Sequence, residues 1–599
     1  MIRAHQAIMA LLMFSINSLA MAVHVNHDRT GQVALLPYYT VNNSFITNFT
    51  ITNTTDLWKA VRVRILESRN SGDLLNFNVY LSPFDVWNGT LRKNPTTGLP
   101  NLISEDESCT YPPKASLHAG VDLQNVYTAT SDDDLTEGYI EIIEMGVVAD
   151  GLGAAVDGGL EAEIDAGGVA DGVVNSAVGD RSIPSGLLHD AAGLPADCSV
   201  VSDAWDAGVV SGSAINGFEP GVMGSNGVAM DSGDSAAPYG VSHNAGLVAP
   251  SGGINVYGIM INVATGAAFV QEGTHIDRYT TVAQHYLPDD PVHYRLPSLA
   301  SGDIREAYIP NALGDGMKGD SMLLTEYDTG SVSDIAPNPS VPMGSNPLPI
   351  AVILSADTVS APYFVEYNVN GETDIVLTFP MRKHGIYNGG TLTNQLDPNE
   401  AACVGALHDG LNDGSAVSMT SLGVEVQDYP HDRVGNICTN AGYIRNDLPD
   451  VKMSLIFHDY EEHTSIYNYT HSTGDPGGYP RHFISNDIVA VERSVIVASA
   501  NRNSGGSDSV FGTQAENVFN WTLDPGFDAG WLTFNMQDFY DYNTNSSIAA
   551  ITESVSGLGA NVSGNWTGVP VIGFSAMAAD VGPAQLGETV ELIRSVNRN

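Results

Sequence analysis

Between residues 45 and 81 the chain alternates apolar and polar side chains in three successive segments. Phe45, Phe49 and Ile51 fall on one face of the first, with Asn48, Thr50 and Thr52 opposite. Val61, Val63 and Ile65 alternate with Arg62 and Arg64 in the second. Leu75, Phe77, Val79 and Leu81 alternate with Asn76, Asn78 and Tyr80 in the third. Successive side chains leave a strand on opposite sides, so a period of two selects extended chain with one face buried. Asn53-Thr54-Thr55-Asp56 supplies a turn between the first two segments. The pattern predicts a half-buried antiparallel sheet, assembled as an immunoglobulin-like β-sandwich over residues 23–130.

Further strand-like segments follow at 139–144, 254–263, 350–354, 363–369, 375–379, 453–457, 494–498, 531–536 and 569–574. Asn370-Gly371-Glu372 between two of them predicts a hairpin. From 146 to about 240 the texture changes to Gly, Ala, Asp, Val and Ser, which bury little and are costly to order. This stretch reads as long loops with one helix near 191–205. The fold class is therefore mainly β. The organisation expected is a signal peptide over 1–22, a β-sandwich over 23–130, a Gly/Ala/Asp-rich loop region with strands over 131–300, and a β-rich region over 301–599.

The first 22 residues give that leader its form: Arg3, an apolar core from Ala7 to Phe14, and Ala20-Met21-Ala22 before the cleavage point. Its removal takes away one cation, leaving 23 Lys and Arg against 69 Asp and Glu, a net charge of −46. Nucleic acid and anionic membranes both need clustered cations, so they are excluded as partners. No later run is long and apolar enough for a transmembrane span after signal removal. Six lysines in an acid-rich chain suit a well-solvated secreted protein, extracellular or held at a surface by other molecules.

Export also permits disulfides among Cys109, Cys198, Cys403 and Cys438. Three pairings exist on paper. Cys109–Cys198 and Cys403–Cys438 are favoured, because each staples a loop-rich stretch within one half of the chain. Each bridge is worth about 4 kcal/mol in the chain-entropy model. No C-x-x-C spacing supports the rival zinc site.

Several segments carry a resemblance. They are Gly31-Gln32-Val33 with Pro37-Tyr38-Tyr39-Thr40, Lys59-Ala60-Val61-Arg62-Val63-Arg64, Arg69-Asn70-Ser71, and the run from Asn76 to Trp87. Ser108-Cys109-Thr110, Glu137-Gly138-Tyr139, Glu144-Met145-Gly146, Pro195-Ala196-Asp197-Cys198, Leu377-Thr378-Phe379-Pro380 and Val571-Ile572-Gly573-Phe574 extend it. With these the chain resembles a family of uncharacterised secreted proteobacterial cell-surface or hypothetical proteins. The likeness is densest over 31–145 and departs at Met381-Arg382-Lys383 and through the Gly/Asp-rich stretch. It implies secretion and a β-rich architecture and carries no catalytic residue.

Motif chemistry is sparse. In His458-Asp459-Tyr460-Glu461-Glu462-His463 the histidines lie five apart after a strand, whereas zinc ligation needs them one helical turn apart. Asp541-Tyr542-Asn543-Thr544-Asn545 copies half an EF-hand loop but continues with Ser546 and places Thr552 where a bidentate acid belongs. Asp132-Asp133-Asp134 with Glu137 could gather calcium, the one cofactor the sequence suggests. No G-x-S-x-G elbow occurs. No catalytic or metal residue is assigned.

Aromatics among Asn and Asp suit sugar stacking: Tyr38, Tyr39, Trp58, Tyr80 and Trp87 near the N-terminus, and Trp521, Trp531, Tyr540, Tyr542 and Trp566 near the C-terminus. The leading expectation is a non-enzymatic secreted or cell-surface-associated structural or adhesive protein. The alternative is a secreted carbohydrate-binding protein or glycosidase. Its partners would be a surface glycan or further copies of itself.

Overall fold

The computed structural model describes residues 23–124 apart from 70, 132–148, 186–202 apart from 200, 247–280 apart from 249, 285, 288, 297–299, 307–309, 322–324, 350, 353–381, 386–387, 390–391, 450–460, 463–466, 481–485, 488–491, 493–501, 509–513, 518–523, 526–541, 546–547, 551–557, 560–566, 569–582 and 584–595. The signal segment, Cys403, Cys438 and most of the Gly/Ala/Asp-rich stretch lie outside these residues.

Fourteen strands build a first sandwich: β1 His24–Val25, β2 Val33–Thr40, β3 Phe45–Asn53, β4 Lys59–Glu67, β5 Asp73–Leu81, β6 Val86–Lys93, β7 Pro100–Ile103, β8 Cys109–Tyr111, β9 Val121–Asp122, β10 Glu137–Val148, β11 Leu247–Val248, β12 Ile254–Asn262, β13 Ala268–Glu272 and β14 Thr274–Asp277. Sheet I runs β1-β14-β2-β10-β4-β5-β8, with β11 paired to β10, and sheet II runs β13-β12-β3-β6-β7-β9. All the ladders are antiparallel. Val61, Val63, Ile65, Phe77, Val79, Ile140 and Ile142 of sheet I meet Phe49, Ile51, Trp87, Leu91, Ile254 and Val256 of sheet II in one core. The sandwich thus takes its central strand β10, the edge strand β13 and the strands β12 and β14 from beyond residue 130.

The two sheets differ in what covers them. Sheet II matches the half-buried expectation, with Val86, Tyr257 and Val270 exposed on its outer side. In sheet I every residue of β4 and β10 is buried. The outer side of sheet I is covered in two places. Around the Cys109–Cys198 disulfide, Leu187 and Val201 pack on Ala60, Tyr80 and Met145. This covalent link suits an oxidising, extracytoplasmic compartment. The rest is covered by Tyr279, Leu299, Ile350, Leu354 and Met381, which pack on Val33, Leu35 and Ile143, and by a second sandwich.

That second unit comprises β15 Thr358–Phe364, β16 Glu372–Thr378, β17 Asp450–Asp459, β18 Thr464–Ile466, β19 Arg481–Ser485, β20 Ile488–Val491, β21 Val495–Asn501, β22 Val518–Thr522, β23 Ala529–Asp541, β24 Ile572–Val581, β25 Ala584–Glu591 and β26 Ile593–Ser595. Sheet III runs β19-β20-β17-β23-β15-β26, with β18 on β17, and sheet IV runs β22-β21-β16-β24-β25. Val359, Ala361, Tyr363, Leu455, Phe457, Leu532 and Phe534 of sheet III pack on Ile375, Leu377, Ile496 and Ala498 of sheet IV. The hairpin expected at 363–379 does not form: β15 and β16 enter opposite sheets. A 3-10 turn at Tyr367–Val369, closed by Asn370 at φ 45°, carries the chain from one layer to the other.

The junction between the sandwiches has an aromatic core. Phe511 sits among Tyr38, Phe45 and Phe269 of the first unit, with ring centroids 5.3–5.4 Å away, and Phe574 of the second at 6.2 Å. Gly512 turns the chain there at φ +63°, where a Cβ would lie 2.4 Å from Asn43. Backbone amides of Ser494 and Val495 donate to the Ser68 carbonyl at 2.9 Å, and Thr378 Oγ1 donates to Pro37 O at 2.6 Å. Arg493 pairs with Asp134 across the same seam, both side chains buried.

No helix of the described residues is long and apolar enough to cross a membrane.

Candidate functional site

Polar side chains of the described residues fall into two sets, one engaged inside the molecule and one displayed on an open sheet face. The inner set rides on sheet I. Arg64 donates from Nε and Nη2 to the two Asp73 oxygens at 3.0 and 2.9 Å, and from Nη1 to Glu141 at 3.0 Å. Lys59 Nζ reaches Glu144, Ser251 Oγ and Gly252 O, each at 2.7 Å. Glu144 also accepts from the amides of Ser251 and Gly252. Burial pushes the Glu144 carboxyl up, against the pull of Lys59.

At the junction Tyr38 donates to Glu137 at 2.6 Å. Burial, then the Glu137 charge, holds the Tyr38 hydroxyl well above its usual range. Asp374 accepts from Ser509 Oγ and the Phe511 amide at 2.6 and 3.0 Å, which anchors the loop carrying Phe511. A buried carboxylate fixed by Arg, Lys or amide donors braces structure; an acid–base catalyst needs one poised toward a substrate. Among the described residues no group of three metal-ligating side chains converges.

Two buried histidines belong to the same set. His285 Nε2 meets the Tyr80 hydroxyl at 2.9 Å, and burial, then Arg62, keeps its imidazole well below the usual value. His275 accepts from the Val256 amide through Nε2 at 2.9 Å, a bond only the neutral ring can make. Burial lowers its pKa to about 4. The neutral ring is favoured by the fold, so its stabilisation is complete above the unfolded value of about 6.5 and is lost as pH falls toward 4. Over that window the loss is about 3 kcal/mol. Urea midpoints measured between pH 7 and 4 should fall less steeply in His275→Gln, whose amide oxygen can accept the same amide proton without titrating.

The outer set lies on sheet III. Strict alternation along β15, β17 and β23 sends Leu455, Phe457, Leu532, Phe534, Val359 and Ala361 inward and leaves a mixed set facing out, polar residues together with Ile456, Trp531 and Pro362. Register then aligns these in three rows across the strands. The first is Thr464–His458–Trp531–Pro362, the second Ile456–Thr533–Ser360–Ile593, and the third Ser454–Asn535–Thr358–Ser595. Trp531 is 44% exposed and Ile593 68%. The Trp531 and His458 rings stack, centroids 5.0 Å apart and planes 21° from parallel. Thr464 Oγ1 lies 3.3 Å from His458 Nδ1, and Ser360 Oγ 3.0 Å from Thr533 Oγ1. Asn535 donates to Ser454 Oγ at 3.4 Å. Gly530, just before the tryptophan, is required by close packing: a Cβ there would sit 1.9 Å from His458 O.

The aromatics singled out for sugar stacking divide sharply. Tyr38, Tyr39, Tyr80 and Trp87 are fully buried, and Trp58 is partly buried beside the disulfide. Trp87 is a core residue: its ring lies 5.4 Å from both Phe49 and Phe77, and Gly89 makes room for it, since a Cβ there would meet the indole at 2.5 Å. The stacking expectation at this position is corrected by that burial. Trp531 alone of those named stands exposed among the described side chains; those of Trp521, Tyr540, Tyr542 and Trp566 lie outside them.

The acidic cluster at 132–137 separates, with Asp134 on Arg493 and Glu137 on Tyr38. His458 and His463 face different partners, Trp531 for the first and Asp459 at 2.7 Å for the second. The half EF-hand continues outside the described residues. Of the four cysteines, Cys109 and Cys198 are bonded and the pair Cys403 and Cys438 lies outside them. Sequence reading named Trp531 and missed His458, Thr533, Ser360 and Asn535 as its neighbours. Their signal was the polar half of each alternation, which shows a face but not the register that assembles it.

Compared with family models, curated proteins and solved structures, the chain matches none.

Proposed function

We propose that the chain is a non-enzymatic, secreted or cell-surface-associated β-protein with a structural or adhesive role. One observation carries this reading: the seam between the sandwiches, where a two-domain enzyme would keep its cleft, is filled by Phe511 and its ring of aromatics. The buried Arg, Lys and carboxylate groups support it, since each braces a strand or a loop. The immunoglobulin-like reading of the first module and the resemblance to secreted proteobacterial surface proteins point the same way. A stiff body that presents an open sheet face suits attachment better than turnover.

Removing the protein from the cells that make it should reduce their adherence to surfaces, and adding the purified chain back should restore it. Unchanged adherence, or hydrolysis of any polysaccharide in a broad panel by the pure protein, would sink the proposal.

A further inference from the structure

We infer that the outer face of sheet III is a binding site for a neutral polysaccharide, with Trp531 as its stacking platform. The inference supplies a ligand for the adhesive reading and rests on it for its biological setting. In a chain with 69 acids and a formal net charge of −45, the three rows contain no Asp, Glu, Lys or Arg among their described side chains. A polyanion would be repelled by the molecule as a whole, and a polycation would find no carboxylate among the described side chains of these rows. A neutral ligand bearing many hydroxyls is the complement that remains.

Shape and chemistry agree. Three rows at alternate positions span roughly 14 Å along the strands, and four strands span about 14 Å across them. That is a flat footprint for several sugar rings. At one corner the Trp531 indole, one face of it packed on His458 and the side chain 44% exposed, gives an apolar surface for sugar C–H groups. Beside it Thr533, Ser360, Asn535, Ser454, Thr358 and Ser595 offer hydroxyls and amides that donate and accept. The stacking of His458 and its contact with Thr464 hold the platform in place before any ligand arrives, which reduces the ordering cost of binding.

The test is retention of the full secreted chain on insoluble cellulose, mannan and starch, with polygalacturonate as an acidic counter-probe. Retention is expected on at least one neutral polymer, insensitive to salt. It should weaken about tenfold in Trp531→Ala, less in Trp531→Phe, with melting temperature unchanged in both. No retention on any neutral polymer overturns the inference, as does equal binding by Trp531→Ala. Salt-sensitive preference for polygalacturonate also overturns it. So does a dimer that Trp531→Ala dissociates, which would make a second copy of the chain the occupant. If Trp531→Ala cells adhere as wild type does while the deletion strain does not, this site fails and the adhesive reading stands.

Discussion

Replacing Arg64 with methionine should destabilise the first sandwich by about 3–5 kcal/mol, because it strands Asp73 and Glu141 as buried charges without their shared cation. Arg64 lies in the middle of β4, next to the central strand β10, with nothing of its side chain reaching water. Its fork meets Asp73 in a two-bond pair, an arrangement that lysine could not reproduce. The test is the urea midpoint of the variant against wild type. A triple change to Arg64→Met, Asp73→Leu and Glu141→Leu should recover most of the loss, since breaking a buried ion cluster is far costlier than exchanging all of it for apolar side chains. A single variant as stable as wild type would show that the cluster contributes nothing to the fold.

Trp87→Ala carries a cost of similar size, about 3–5 kcal/mol, through the cavity left between Phe49 and Phe77. Gly89, shaped to admit the indole ring, cannot fill that space. Thermal denaturation should show a large downward shift, whereas Trp531→Ala should leave the transition where it is. The two tryptophans look alike in the sequence, each in an alternating segment among Asn and Thr. Their opposite responses would separate a core residue from a displayed one.

The strands with the clearest alternation were legible from periodicity alone, because backbone pleating imposes the period directly on the side chains, whereas 350–354, expected as a strand, is helical at 350 and 353–354, and 367–369 forms a 3-10 turn. Phe45–Asn53, Lys59–Glu67 and Asp73–Leu81 all lie on strands. Their partners were not legible. Phe45–Asn53 pairs with Val86–Lys93 and with Ile254–Asn262, the latter about two hundred residues away. Nor could the pattern show what covers a face: Arg62 and Arg64 look solvated on a half-buried strand, yet both are fully buried. The missing information is tertiary, lying in the second sandwich and in the segment tied down by Cys198. The same holds for the site. Alternation gives Trp531, Thr533 and Asn535 one face, but their rows depend on a register set by β17 and β15. Similarly, Asn370-Gly371 marks a reversal without saying whether the chain returns along its own layer or crosses to the next.

The Cys109–Cys198 link closes a loop that contains β10, the strand at the heart of sheet I, together with residues 149–185. A protease that cuts between residues 149 and 185 opens the polypeptide without releasing a fragment. The nicked molecule keeps its middle strand in register and both ends tethered. In an oxidising, extracytoplasmic compartment, a cut in the part of the glycine-rich stretch before Cys198 is thereby separated from loss of the molecule.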